Sequence, residues 1–223
     1  MNTFNPGLIV EVTGACNRAC TGCYAPNVVA KDASEVFEKR PELFIGLMAL
    51  NNAWKELGEF PQVTAIRGGE PTLHPNLSTI LIMASNKSHE VYLETHGRWL
   101  FEADVKNYEE LIKVIKERSI VVKISFDKMH RMKQEEIKWI TDYCHMNGIN
   151  FRVAITESTF AEYLESKAQC FWVPSEKFIF QQKATSAEDL VQPTIGIINV
   201  RGEIKRTLTH KFNLEPFLGV AFA

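Results

Sequence analysis

Three cysteines crowd into one short stretch, Thr13-Gly14-Ala15-Cys16-Asn17-Arg18-Ala19-Cys20-Thr21-Gly22-Cys23-Tyr24. The chain holds five in all, the others being Cys144 and Cys170. An odd number with this clustering is not a disulfide framework. Thiols packed this closely point to metal binding or redox chemistry. With the spacing C-x3-C-x2-C on a single loop, Cys16, Cys20 and Cys23 can hold three irons of a cubane and leave the fourth iron open to a non-protein ligand. A closed zinc site is the alternative, with His74 or His96 supplying the fourth ligand.

A second stretch with chemical content is Arg67-Gly68-Gly69-Glu70-Pro71-Thr72-Leu73-His74-Pro75. Gly68 and Gly69 make a tight strand-to-helix turn, since glycine tolerates close backbone approach. That turn does not call for Glu70. Two later segments, Glu94-Thr95-His96-Gly97 and Ser125-Phe126-Asp127, also follow apolar runs, and His130 comes three residues after Asp127. Thr95 and Ser125 are turn formers by default, and Asp127 is equally a helix cap. An Asp and a His together can also bind a polar substrate or move a proton, which makes His130 a candidate catalytic residue.

These segments need a scaffold, and the periodicity supplies one. Six short apolar runs read as buried strands: Leu8 to Val12, Val63 to Ile66, Val91 to Leu93, Ile120 to Ile124, Phe151 to Ile155 and Phe178 to Phe180. Between them, helical stripes run through Leu43, Leu47, Leu50, Trp54 and Leu57, through Tyr108, Leu111, Ile112 and Ile115, and through Ile137, Ile140 and Cys144. Strand and helix alternation predicts parallel βα units, in an open α/β sheet or a barrel, with function on the loops at the C-terminal strand ends. Arg152 interrupts the fifth run and is expected to point into a barrel to meet a carboxylate. Gln182 to Asp189 reads as a connector, and Ile195 to Leu208 as a hairpin turning at Arg201-Gly202, appended to the sheet edge. The expected division is 1–181 for the βα part and 182–223 for connector and hairpin. Cys144 and Cys170 read as core residues.

Composition agrees with a single globular unit. With 223 residues, 45% hydrophobic and 23% charged, the chain is neither disordered, collagenous nor coiled coil. A net charge of −2 without basic runs gives no footprint for nucleic acid. No apolar run approaches the roughly 18 residues of a membrane span, so the expected location is cytoplasmic.

Cys16, Cys20 and Cys23 followed by Tyr24 resemble the signature of the radical S-adenosylmethionine (radical SAM) superfamily, and Gly68-Gly69-Glu70 resembles its glycine-glycine-glutamate motif. Thr95-His96-Gly97 lies where many relatives have Thr-Asn-Gly, His96 being a departure, and Ser125-Phe126-Asp127 is similar to a Ser-x-Asp element that contacts ribose. The resemblance spans about positions 8 to 180 and implies a partial (βα)6 barrel. It implies an oxidoreductase-like enzyme with one 4Fe-4S cluster on the three cysteines. S-adenosylmethionine would be held by Tyr24, Gly68, Gly69, Glu70, Thr95, Ser125, Asp127 and Arg152. The cofactor would be cleaved to methionine and a 5′-deoxyadenosyl radical that abstracts hydrogen, with electrons from a donor such as flavodoxin or ferredoxin. Many relatives carry auxiliary clusters in a C-terminal extension, whereas the tail here has no cysteine. One cluster and a small polar metabolite as substrate are therefore expected. A peptide-modifying enzyme, a glycyl-radical activase or a non-catalytic metal-binding scaffold are the alternatives.

Overall fold

The computed structural model describes residues 7–20, 23, 28–29, 33–58, 60–101, 105–126, 130–155, 178–180 and 196–206. Within them the strands are β1 (Leu8–Glu11), β2 (Ala15–Cys16), β3 (Val28–Val29), β4 (Val63–Arg67), β5 (Glu90–Thr95), β6 (Val121–Ser125), β7 (Phe151–Ile155), β8 (Phe178–Phe180), β9 (Gly196–Ile198) and β10 (Ile204–Arg206). The helices are α1 (Ala33–Lys39), α2 (Leu47–Leu57), α3 (Leu77–Ser85), α4 (Glu109–Glu117) and α5 (Gln134–Met146). One sheet runs in the order β10-β9-β1-β4-β5-β6-β7-β8. From β1 to β8 every neighbour pair is parallel, so all six predicted strands stand side by side in sequence order. Among the described residues β10 and β8 form the two edges. The architecture is that of a partial βα barrel.

Period-two alternation splits this sheet into two unlike faces. Leu8, Val10, Ile66, Leu93, Val122, Ile124 and Val153 join Leu50, Trp54, Leu81, Ile115 and Ile140 of the helices in the main core. Helix α2 buries Leu50, Trp54 and Leu57 of the stripe read from the sequence and adds Ala53, while Leu43 falls in the turn before it. Each large chain so buried contributes about 1.5–3 kcal/mol. The opposite face carries Ile9, Ala65 and Ile197 low in the sheet and charged residues above them.

The hairpin is present, with β10 antiparallel to β9. Strand β9 also pairs parallel with β1, so the hairpin continues the same sheet. Its turn has Gly202 at a φ of 78°, and a Cβ there would lie 2.8 Å from that of Ala49 in α2. Cys144 lies in the core on α5, and burial pushes its thiol up to about 12. Cys170 falls outside the described residues.

Candidate functional site

The cysteine loop leaves β1 and is fastened before it reaches its first ligand. Thr13 bridges to Phe44, and Cys16 ends the short β2, which pairs with β3. Cys16 is buried, Cys20 half-buried and Cys23 exposed, all as free thiols. Burial pushes the Cys16 thiol up to about 12, and the negative charges of Glu70, Cys20 and Cys23 add to that, against a hydrogen bond from the Arg18 backbone. Three thiolates beside a carboxylate need a compensating cation, and iron is one that thiolates favour. The donor set therefore fits an iron cluster. Among the described residues no three His, Cys, Asp or Glu side chains gather around one point as ligands of a single ion would.

Gly68-Gly69-Glu70 runs directly against that loop. The Gly69 N–H donates to the Thr13 carbonyl at 2.7 Å and the Glu70 N–H to the Ala15 carbonyl at 2.8 Å, continuing the β1–β4 pairing past both strand ends. At Gly68 a Cβ would lie 2.4 Å from the Thr13 carbonyl oxygen. Only glycine allows this approach. Glu70, 1% exposed, caps the turn Pro71–Leu73 and gathers donors from that turn and from the end of β5. Its Oε1 accepts from the Thr95 hydroxyl at 2.7 Å, the Thr72 hydroxyl at 2.8 Å and the Thr72 N–H at 3.3 Å. Its Oε2 accepts the His96 N–H at 3.1 Å and lies 3.2 Å from His96 Nε2.

The two histidines offered to a zinc site are otherwise engaged. His74 Nδ1 accepts the Asn76 N–H at 3.1 Å, leaving its Nε2–H for the Ile45 carbonyl at 3.0 Å, and burial lowers its pKa. His96 Nδ1 accepts the Arg98 N–H at 3.0 Å, while Nε2 meets Asn17 Oδ1 at 2.8 Å.

Ser125 ends β6 on the face that carries Lys123, and Thr95 ends β5. His130 is half-buried in the turn ahead of α5. Tyr24 and Asp127 fall outside the described residues. Arg152 departs from expectation. Its Nη1 turns back to Asn150 Oδ1 at 3.2 Å and the Phe151 carbonyl at 3.0 Å, toward the start of its strand and away from Glu70. No ion pair joins it to a carboxylate among the described residues.

Two ion pairs and Arg152 form a row that the sequence reading did not assemble. Register aligns Glu11, Arg67, Glu94, Lys123 and Arg152 across five adjacent strands. Arg67 Nη2 lies 3.3 Å from Glu11 Oε1, and Lys123 Nζ lies 2.9 Å from Glu94 Oε1. Burial works against the charge on Glu94, yet Lys123 and Arg67 together hold its carboxyl below the usual range. The signal was present as single charges near the ends of otherwise apolar runs.

No family model and no curated protein matches this sequence. Solved structures do share the fold. "Native anSMEcpe with bound AdoMet" superposes with a TM-score of 0.53 at 16% identity, covering 78% of this chain and 50% of that one. The same protein "with bound AdoMet and Cp18Cys peptide" gives 0.52 at 17% identity over the same shares. The chain thus spans about half the length of the solved chains it matches. At the level of the fold, the resemblance drawn from the two motifs is borne out.

Proposed function

We propose that this chain is a radical SAM enzyme that modifies a peptide, with one 4Fe-4S cluster on Cys16, Cys20 and Cys23. The observation that carries the reading is the joining of the cysteine loop to the Gly68-Gly69-Glu70 segment through Glu70 N–H to Ala15 carbonyl at 2.8 Å, at the C-terminal ends of parallel strands. When bound, the cluster supplies the electron that cleaves S-adenosylmethionine and so the radical chemistry. The three thiolates hold iron. Glu70 offers a carboxylate to the cofactor's ammonium, pre-oriented by Thr72, Thr95 and His96. Ser125 and Asp127 would meet the ribose and Tyr24 the cofactor, with His130 the candidate to bind a polar group of the substrate or move a proton. Arg152, turned toward Asn150, is better suited to the barrel floor than to the cofactor.

A peptide substrate is preferred to the small metabolite expected from the cysteine-free tail, because the anSMEcpe structure of like fold has a peptide bound beside AdoMet. An external one-electron donor of the flavodoxin or ferredoxin type and a cytoplasmic setting belong to the same reading. Among the described residues no helix is long and apolar enough to cross a membrane. The test is anaerobic reconstitution with iron and sulfide, reduction, and chromatography for 5′-deoxyadenosine. Cysteine-containing peptides and polar metabolites are then compared as accelerants. No 5′-deoxyadenosine from a protein that has taken up iron would overturn the enzyme reading, and acceleration by metabolites alone would overturn the peptide.

A further inference from the structure

His96 stands where the resemblance leads one to expect Asn, and its ring makes a contact that no strand pairing provides. Because Nδ1 accepts the Arg98 N–H, the ring proton sits on Nε2. That proton goes to Asn17 Oδ1 at 2.8 Å, while the backbone N–H of the same residue donates to Glu70 Oε2 at 3.1 Å, with Nε2 lying 3.2 Å from that oxygen. Asn17 directly follows Cys16, and Glu70 is the carboxylate of the facing loop. The ring is buried, and the residue that orients it is fastened in turn. Arg98 Nη2 donates to the Arg131 carbonyl at 2.8 Å and to Glu136 Oε2 at 2.9 Å, the latter on α5.

We infer that His96 is a positioning residue that locks the cysteine loop to Glu70, its Nε2–H holding Asn17 and its backbone N–H holding the Glu70 carboxylate. On the reading proposed above, this fixes the distance between the iron ligands and the group that takes the cofactor's ammonium. The geometry needs a donor as far from the backbone as Nε2. Gln reaches that far and Asn does not.

The lock is testable in reduced, metal-free full-length protein, by following alkylation of each cysteine with mass spectrometry. Cys16 is buried, so its alkylation requires the loop to open, whereas Cys144 reports opening of the core. His96→Ala is expected to speed alkylation of Cys16 about ten-fold, the scale of one lost hydrogen bond to a charged network, with Cys144 unchanged. His96→Gln should restore the slow rate. Asn17→Ala, at an exposed position, should match His96→Ala, and the double variant should be no faster than either single one. An unchanged Cys16 rate in Asn17→Ala, or additive rates in the double variant, would overturn the inference even where His96→Ala unfolds. Iron uptake by the unaltered chain is scored separately. Its failure would sink the cluster reading without touching the alkylation result.

Discussion

The hydroxyl of Thr95 donates a 2.7 Å hydrogen bond to Oε1 of Glu70, tying the end of β5 to the residue that follows the Gly68-Gly69 bend. Both groups are buried. Thr95→Val keeps the shape and removes the donor, leaving a buried carboxylate short of one partner. A loss of about 1.5–3 kcal/mol is expected in chemical denaturation, with Thr95→Ser close to the unaltered chain. S-adenosylmethionine affinity, measured by calorimetry on the reconstituted protein, should fall in the same order. Equal stability of the Val and Thr proteins would show that Thr72 and His96 suffice to hold Glu70.

The close approach at Gly68 leads to a sharper expectation. A methyl group there meets the Thr13 carbonyl at 2.4 Å and the Thr13 nitrogen at 2.9 Å, both backbone atoms that cannot swing aside. Gly68→Ala should cost about 1–3 kcal/mol through overpacking and push the cysteine loop off β4. A thermal melt within a degree of the unaltered chain would mean the loop shifts without strain.

What the sequence revealed and what it hid follow from the period of each element. Strands β1 and β4 to β8 were legible because their β-branched, apolar runs are short and bounded. Helix α3, Leu-Ser-Thr-Ile-Leu-Ile-Met-Ala-Ser, buries Leu77, Ile80, Leu81 and Ala84, but Ile82 and Met83 outside that stripe blur it in the sequence. Helix α1 has seven residues, and β2 and β3 have two each, too short for a period to register. In the site, Cys16, Gly68 and Glu70 were legible because their types have few bland explanations. Thr72, Asn17 and Lys123 were not, since their roles depend on which partner the fold sets opposite them. Arg152 was misread for the same reason. Its strand position was right, but its guanidinium turns back to Asn150 and the Phe151 carbonyl.

Iron content is the next expectation. Three thiols share the cysteine loop, Cys144 is sealed in the core, and that leaves Cys170. Anaerobically reconstituted protein should hold about four irons and four sulfides per chain, falling sharply in each of Cys16→Ala, Cys20→Ala and Cys23→Ala. A content near eight irons that survives in the triple variant would require a second cluster.

The ion row predicts an acid limb in the stability curve. Burial alone would raise the carboxyl of Glu94, but Lys123 at 2.9 Å and the charge of Arg67 outweigh it, so the folded carboxyl lies below its unfolded value. The unfolded chain therefore takes up the proton first as pH falls. The stabilisation is complete above the ordinary carboxylate range and is lost as pH drops through the lowered folded value. Lys123→Met removes the nearer cation and leaves Glu94 with the charge of Arg67 alone to offset its burial. Near neutral pH this should cost roughly 2–4 kcal/mol, because one partner of a largely buried pair is left behind. Glu94 should then protonate at a higher pH, moving the acid limb upward. In Lys123→Met combined with Glu94→Gln, no buried carboxylate remains at that position, so much of the neutral-pH loss should be recovered and the upward shift should vanish. Denaturation curves collected from pH 3 to pH 8 read both effects. An acid limb unmoved by Lys123→Met would mean that Arg67 alone sets the charge of Glu94.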